Sequence, residues 1–320
     1  MFCFQCQETA KGTGCILKGV CGKNATTARY MDLLLFVVRG ISVVADQLRE
    51  NNVPVARKVD SFVVDALFST ITNANFDDES IVRRIDDGLQ MRDSLKAQAA
   101  ARGVSLPAVD ELEWTGAREA YDGKAATVGV LREKDEDLRS LKELIVYGLK
   151  GMAAYLEHAM RLGHDDESIH RFMQHTLAQT ATGNLSAAEW TALALKTGEV
   201  GVQTMALLDR ANTTAYGHPE MTSVDIGVRH RPGILISGHD LHDLEELLEQ
   251  TRDTGIDIYT HGEMLPAHGY PELKKYAHLK GNFGTAWQNQ QKEFADIPAP
   301  VLFTTNCLMP PRASYADRVF

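Results

Sequence analysis

The sequence contains few of the features that tie a protein to nucleic acid or to a membrane. Its 33 lysines and arginines against 43 aspartates and glutamates leave a formal charge of −10, and no basic cluster offers a local site for phosphate. The longest aliphatic or aromatic run in the N-terminal third covers residues 33–38, far below the roughly 18 residues of a membrane span. We therefore expect no nucleic-acid partner and no membrane partner.

Cysteine is scarce outside the head of the chain, because four of the five cysteines lie within the first 21 residues. This head has neither the basic region nor the apolar region of a secretory signal, which predicts a cytoplasmic protein. In a reducing cytoplasm, clustered thiols are more often metal ligands or redox groups than disulfides.

The four head cysteines form a C-x2-C-x8-C-x5-C array of Cys3, Cys6, Cys15 and Cys21, threaded through glycines that allow a tight fold around one site. Four thiolates without a histidine fit an iron-sulfur cluster or an all-thiolate zinc site. Zinc sites usually pair two short Cys-x2-Cys knuckles, whereas only one pair is close here, so the spacing favours the cluster. A zinc site and a thioredoxin-like dithiol stay open as alternatives.

Hydrophobic periodicity predicts a helical N-terminal part. Apolar residues recur at intervals of three and four along a series of segments, which are predicted helices: 31–48, 59–71, 80–101, 137–156, 165–180 and 186–212. A turn-rich stretch at 216–223 then marks the predicted domain boundary. Beyond it, short β-type runs at 232–238, 256–260 and 299–306 alternate with predicted helices at 240–251 and 271–279. This alternation of strands and helices predicts an open parallel sheet.

Metal-competent side chains follow each of the three predicted strands: His239, then His261 and Glu263, then Cys307. Ligands bind beyond the carboxyl ends of the strands in an open parallel sheet, so these side chains are expected to project into one crevice. Imidazole, carboxylate and thiolate together suit iron or another transition metal. Each residue also has an ordinary structural explanation, as a helix opening, a surface carboxylate or a buried thiol. Both interpretations stay open at this point.

A series of motifs runs along the whole chain: residues 1–9 with Cys15 and 21–23, then 72–75, 206–209 with 211–213, 233–240, 259–266 and 304–308. Together these motifs resemble those of the hybrid-cluster (prismane) proteins, also called hydroxylamine reductases. The resemblance implies a multidomain α and α/β fold: a cluster-binding segment at 1–25, a helical bundle at 26–221 and an incomplete Rossmann-like domain at 222–320. It also implies an architecture related to the nickel-iron carbon monoxide dehydrogenases.

The resemblance further implies two cofactors. Cys3, Cys6, Cys15 and Cys21 would hold a [4Fe-4S] cluster, and His239, Glu263 and Cys307 would be ligands of a hybrid cluster of the [4Fe-2O-2S] type. His261 would stand behind these ligands, where it or His268 could supply protons.

The implied activity is the reduction of hydroxylamine to ammonia and water, of nitric oxide to nitrous oxide, or of both, with electrons from a redox partner protein. Two other classes stay open: an electron-transfer protein with the head cluster alone, and a regulatory protein that responds to nitric oxide and nitrosylates partner thiols.

The chain departs from the family pattern in its length. Family members continue and supply three more cysteines and a second glutamate to the hybrid cluster, whereas this sequence ends at Phe320. The predicted strand at 299–306 also has no following helix, which would leave a sheet edge and one face poorly covered. We therefore expect a C-terminal portion or a second polypeptide to complete the site.

Overall fold

The computed structural model describes residues 1–8 and 10–320. Thr9, the last residue of the head motif, lies outside the described residues. The chain divides into two compact units, and each contains more than one stretch of sequence. Unit 1 comprises residues 1–71, 77–157 and 165–207, and unit 2 comprises residues 72–76, 158–164 and 208–320. The predicted domain limits at residues 25 and 221 stay a prediction.

Long helices dominate the N-terminal part, as the sequence predicts. The helices are α1 (Ala25–Glu50), α2 (Arg57–Thr70), α3 (Asp78–Ala101), α4 (Asp110–Glu113), α5 (Tyr121–Ala125), α6 (Glu136–Arg161), α7 (Glu167–Thr182) and α8 (Ala187–Tyr216). Short 3-10 turns lie at Ala10–Gly12, Arg118–Ala120 and Val130–Arg132. The six predicted helices are confirmed. The short α4 and α5 were not predicted, because four or five residues are too few to reveal a helical period.

Helix α1 is the centre of unit 1 and packs against α3 and α7. Asn24 caps its first turn by accepting a hydrogen bond from the backbone N–H of Thr27. Aliphatic residues lie on all of its faces, which is the pattern of a helix surrounded by protein. Its buried Arg39 donates a hydrogen bond to Oγ1 of Thr180 on α7, so this buried guanidinium has a partner.

Unit 2 contains a parallel sheet whose strand order, among the described residues, is β3-β2-β1-β4. The strands are β1 (Gly233–Ser237), β2 (Asp257–His261), β3 (Leu279–Phe283) and β4 (Val301–Phe303). Helices α9 (Leu241–Gln250), α10 (Pro271–Lys274) and α11 (Gln290–Glu293), with 3-10 turns at Gly262–Gly269, Trp287–Asn289 and Ala316–Arg318, connect or follow them. The strand order reverses between β1 and β4, and crevices at such a switch point are where open α/β sheets bind ligands.

Strand β3 was not predicted from the sequence. The sequence pattern instead predicted a helix that ends at Leu279. The helix α10 ends at Lys274, and Leu279–Phe283 pairs in parallel with β2 across a bulge between Ile258 and Tyr259. Glycine and lysine inside this short segment remove the apolar alternation by which a strand is recognised. Its pairing with β2 therefore decides its conformation.

Both faces of the sheet are packed against apolar residues, as parallel sheets require, so the expectation of a poorly covered face is wrong. One cluster places Ile236 and Ile258 against Leu244 and Leu248 of α9. The other places Leu235, Tyr259 and Val301 against Phe294 and Tyr315. With both faces packed, the carboxyl ends of the strands are the edge from which polar side chains emerge. Among the described residues, no helix is both long enough and apolar enough to cross a membrane.

Candidate metal sites

Three candidate ligand side chains meet at the carboxyl ends of the strands. His239 follows β1, Glu263 follows β2 and Cys307 follows β4. The Nε2 atom of His239 lies 3.1 Å from Oε2 of Glu263. The Sγ atom of Cys307 lies 3.1 Å from the same oxygen and 3.9 Å from Nε2 of His239. The structure therefore brings together three residues that are widely separated in sequence.

These spacings suit a shared metal ion as well as direct hydrogen bonds. The three donor atoms lie within 4.8 Å of one another, and ligands at ordinary bond lengths around one tetrahedral ion would lie about 3.4 to 3.6 Å apart. One imidazole, one carboxylate and one thiolate favour a transition metal over magnesium or calcium. The donor set thus fits iron without a large rearrangement.

The backbone at this site adopts costly conformations. Asn306 and Cys307 are consecutive non-glycine residues with φ angles of 59° and 50°. Such conformations cost about 1–3 kcal/mol each and concentrate at functional sites. Gly238, just before His239, has a φ of +121°, and a Cβ at this position would lie 2.2 Å from Oγ1 of Thr304. The loops after β1 and β4 therefore approach so closely that position 238 requires glycine.

Two buried amide side chains hold the Cys307 loop from either side. Gln290 donates to the carbonyl oxygen of Cys307 at 2.7 Å and accepts from the backbone N–H of Met309 at 2.8 Å. Asn73 donates to the carbonyl oxygen of Leu308 at 2.8 Å. These bonds fix the backbone around Cys307, so its strained conformation is over-determined by neighbours.

His261 was expected to project into the same crevice, but it lies outside the group of three donors. Its Nδ1 is 3.0 Å from Oγ of Ser237, and its Nε2 is 2.9 Å from Oε2 of Glu293. Burial lowers the pKa of His261, against the opposing effect of the Glu293 carboxylate. Burial acts to raise the pKa of Glu293, but hydrogen bonds from His261 and Thr285 outweigh it and leave that pKa below its usual range. Contacts at both ring nitrogens therefore fix the orientation of His261. Gln290 also donates to Ser237 Oγ, at 3.1 Å.

His268 lies away from the three donors as well. Its Nε2 is 2.9 Å from Oγ1 of Thr260, inside the strand β2 layer. Burial lowers its pKa. The bond to Thr260 fixes the ring in this layer, and a role of His268 as a proton source stays a prediction.

The Cys307 thiol is strongly biased toward its protonated form. Burial, together with its hydrogen bond to Glu263, raises its pKa to about 12. A thiol must lose its proton to bind a metal, so binding at this site would release that proton. The Glu263 oxygen is the acceptor nearest to it.

The four head cysteines lie in unit 1, three of them buried and Cys6 partly buried. Cys3 and Cys15 pack together against Ala28 of α1. The N–H of Phe2 donates to the carbonyl oxygen of Cys15 at 3.0 Å, which joins the two halves of the array. Burial raises the pKa of Cys3, and a hydrogen bond from the backbone of Gln5 acts in the opposite direction.

The family model described as "Prismane/CO dehydrogenase family" matches residues 1–320. The chain belongs to this family. Among curated relatives, the hydroxylamine reductase of Desulfitobacterium hafniense is 58% identical over 323 residues, covering 100% of this chain and 59% of the relative. Hydroxylamine reductases of Bacteroides thetaiotaomicron and Clostridium perfringens are 57% and 56% identical, again over 100% of this chain and over 58% and 59% of their own lengths. The chain thus spans a little under three-fifths of these relatives.

A solved structure is also similar to this Prismane/CO dehydrogenase family chain. It is the Ni-free carbon monoxide dehydrogenase of Thermococcus sp. AM4, which matches at 17% identity over 97% of this chain and 46% of the other, with a TM-score of 0.31. A TM-score this low supports no conclusion about the site.

Lys23 is a buried cation close to the head cysteines. It is 2% exposed, and its Nζ donates to the carbonyl oxygens of Thr70 and Ile71 at 3.1 and 2.8 Å, where α2 ends. Burial lowers the pKa of Lys23, and the charges of Cys21, Cys3 and Cys6 act to raise it. A positive charge thus lies close to the cysteine sulfurs.

We expect Lys23→Met to lower the free energy of unfolding by about 2 kcal/mol, because two buried carbonyl oxygens lose their donor. Urea denaturation followed by circular dichroism measures the change. Lys18→Met is the matched control, since Lys18 is an exposed lysine of the same segment, and it is expected to change stability by less than about 0.5 kcal/mol. Equal losses in both variants would contradict a structural role for the buried ammonium.

Sequence reasoning missed the residues that support the second site in this Prismane/CO dehydrogenase family chain. Asn73 was not selected as a site residue, whereas its side chain donates to the carbonyl oxygen of Leu308 and holds the Cys307 loop. Gln290 and Glu293 lie in a polar stretch of sequence, which suggests an exposed segment, and no regular spacing marks them as site residues. Gln290 is nevertheless only 1% exposed. Only their packing against β1 and β4 reveals them.

Proposed function

We propose that this chain carries metal ligands of an iron-sulfur enzyme that reduces hydroxylamine to ammonia and water. The supporting observation is the meeting of His239, Glu263 and Cys307 within 4 Å of one another at the switch point of a parallel sheet. Relatives at 56–58% identity named hydroxylamine reductase add support.

We assign the two cofactors to two sets of residues. Cys3, Cys6, Cys15 and Cys21 would hold a [4Fe-4S] cluster, because four thiolates without histidine are its usual ligands. His239, Glu263 and Cys307 would be ligands of a hybrid cluster of the [4Fe-2O-2S] type. When bound, these groups supply electrons and an open iron position for hydroxylamine, whose reduction consumes two electrons and two protons per ammonia and water formed.

The chain's own residues prepare the second site in three ways. His239 binds metal through Nε2 in its neutral form, and Cys307 binds after losing its proton. Glu263 already contacts both side chains and can exchange these hydrogen bonds for metal coordination. Gln290 and Asn73 hold the Cys307 loop in place, which orients the thiolate before metal binds.

We propose a redox partner protein as the electron donor. The loop between Cys15 and Cys21 exposes Ile16, Leu17 and Val20 at 55%, 94% and 41%. Lys11, Lys18 and Arg29 of the same stretch of sequence are also exposed, in a chain that carries a net charge of −10. An acidic carrier of single electrons has the complementary charge. Reduction of nitric oxide and a cytoplasmic location stay predictions.

The test is ammonia formation from hydroxylamine by the anaerobically purified protein together with the C-terminal portion or second polypeptide that is expected to complete the site, with a reduced viologen as the electron donor. Iron and acid-labile sulfide are counted on the same sample. We expect one ammonia for every two viologens oxidised.

His239→Ala is expected to reduce the rate at least ~100-fold, because a lost ligand costs no less than a lost outer partner. His242→Ala is the control, since this histidine lies on α9 and pairs only with Glu245 among the described ion pairs. A His239→Ala protein that turns over at the full rate would remove this residue from the proposal, and the absence of ammonia formation by the completed, iron-loaded protein would remove the activity.

A further inference from the structure

A buried polar chain connects the loop between Cys3 and Cys6 to two helices. Nζ of Lys150, on α6, donates to Oε1 of Gln5 at 2.7 Å. Nε2 of Gln5 donates in turn to Oδ1 of Asp32, on α1, at 2.5 Å. Lys150, Gln5 and Asp32 are 3%, 4% and 8% exposed. A buried carboxyl and a buried amine are therefore linked through one amide that belongs to the cysteine loop.

This chain is fixed directly to the proposed cluster site. Gln5 lies between Cys3 and Cys6, and its backbone N–H donates to the sulfur of Cys3. Tyr147, one turn before Lys150 on α6, donates to the carbonyl oxygen of Phe4 at 2.9 Å. Charge at the sulfurs is thus separated from Asp32 by a single residue, with little water between them.

The charges around Asp32 come from several elements. Lys150 and Arg39 act to lower its pKa, Glu143 acts to raise it, and Lys23 and Cys3 act on Lys150. Burial dominates these effects and raises the pKa of Asp32 to about 7. Burial also lowers the pKa of Lys150 to about 8. Both groups therefore change protonation near neutral pH, where a small added charge shifts their occupancy.

Asp32 also has a route to solvent. It lines a cavity of about 440 Å³ together with Arg29, Arg132 and the residues Phe2 and Phe4 of the head segment. The carboxyl therefore lies between the cysteine loop and a volume that water can enter. The remaining wall of this cavity is formed mainly by residues 125–134.

We propose that Asp32 takes up a proton when the four-cysteine centre takes up one electron. The inference rests on the proposed [4Fe-4S] cluster at these cysteines. The electron comes from a one-electron donor, the proton comes from water in the cavity, and the carboxylate becomes a carboxylic acid. Oxidation reverses both transfers. The physical reason is that an extra negative charge in a medium of low dielectric constant disfavours a nearby carboxylate.

The experiment is a potentiometric titration of the iron-loaded protein with dithionite, followed by electron paramagnetic resonance of the reduced cluster, between about pH 6 and pH 9 to span the Asp32 pKa. We expect the midpoint potential to fall as the pH rises through this range. The limiting dependence is a tenfold change in the reduction equilibrium per pH unit, which is 59 mV for one electron.

Asp32→Asn is expected to flatten this dependence while it keeps the hydrogen bond from Gln5 in an isosteric side chain. Asp46→Asn is the matched control, because Asp46 is a carboxylate of the same helix that pairs with His175 instead. It should keep the wild-type slope. Infrared difference spectra of reduced minus oxidised protein should show a carboxylic C=O band that Asp32→Asn removes.

The possible outcomes distinguish a failure of this inference from a failure of the proposed function. A cluster with a pH-independent potential in the wild-type protein overturns the inference and leaves the proposed cluster intact. A slope that survives in Asp32→Asn also overturns it, since another group would then carry the proton. A protein that binds no iron and sulfide at the head cysteines contradicts the proposed function, and the inference falls with it. If Asp32→Asn does not fold, the wild-type slope and its infrared band still decide.

Discussion

Cys307→Ser is expected to reduce hydroxylamine reduction at least ~100-fold while the head cluster keeps its spectrum. Removing even a residue that orients a metal ligand costs about 10- to 100-fold, and a thiolate ligand contributes more than orientation. The serine hydroxyl can still donate to Glu263, so the local hydrogen bonding survives and loss of folding does not explain the result. Ammonia formation and iron content per chain are the measurements.

The reciprocal variant separates the two sites. Cys15→Ser removes a buried head cysteine, so it should eliminate the head cluster signal and leave the iron bound by His239, Glu263 and Cys307. Loss of both sites in either variant would contradict two independent ligand sets.

The pH dependence of metal binding provides a further readout on wild-type and Cys307→Ser protein. The folded-state pKa of the thiol is raised to about 12, so the thiol carries its proton at neutral pH and must release it on binding. Apparent affinity at the second site should therefore rise about tenfold per pH unit from this group alone. In Cys307→Ser that part of the slope should vanish.

Gly238→Ala is expected to lower the free energy of unfolding by about 3 kcal/mol or more and to empty the second site of iron. The φ of +121° is unfavourable for any L side chain, and the new Cβ would lie 2.2 Å from Thr304 Oγ1 and 2.7 Å from the carbonyl oxygen of Thr305. Relief requires the loops after β1 and β4 to separate, which moves His239 away from Cys307. Thermal unfolding and iron content measure the two effects.

Gly255→Ala is the matched control for this substitution. Gly255 also has a positive φ, of 81°, but no atom lies within 4 Å of an added Cβ. It should therefore cost only the conformational penalty, about 1 kcal/mol, and leave iron binding unchanged. Similar losses in the two variants would show that the close approach of the two loops is unimportant.

The sequence predicted the six long helices of the N-terminal part and three of the strands. The reason is that hydrophobic period, caps and strand order are local signals, and the carboxyl ends of parallel strands share one edge. That rule selected His239, His261, Glu263 and Cys307 together, and His261 is the one that lies outside the group of three donors. The strand β3 was missed because Lys280 and Gly281 interrupt its pattern, and only pairing with β2 makes it a strand.

By itself, then, the sequence determined which atoms could bind metal: four head thiols, one imidazole, one carboxylate and a fifth thiol, each at a recognisable position along the chain. The tertiary structure alone decided which uncharged or buried groups surround them. Gln290, Asn73 and the chain of Lys150, Gln5 and Asp32 have no sequence spacing in common, because their partners are up to 235 residues away. Burial and neighbouring charges, which set their hydrogen bonds and pKa values, exist only once the helices and strands have packed.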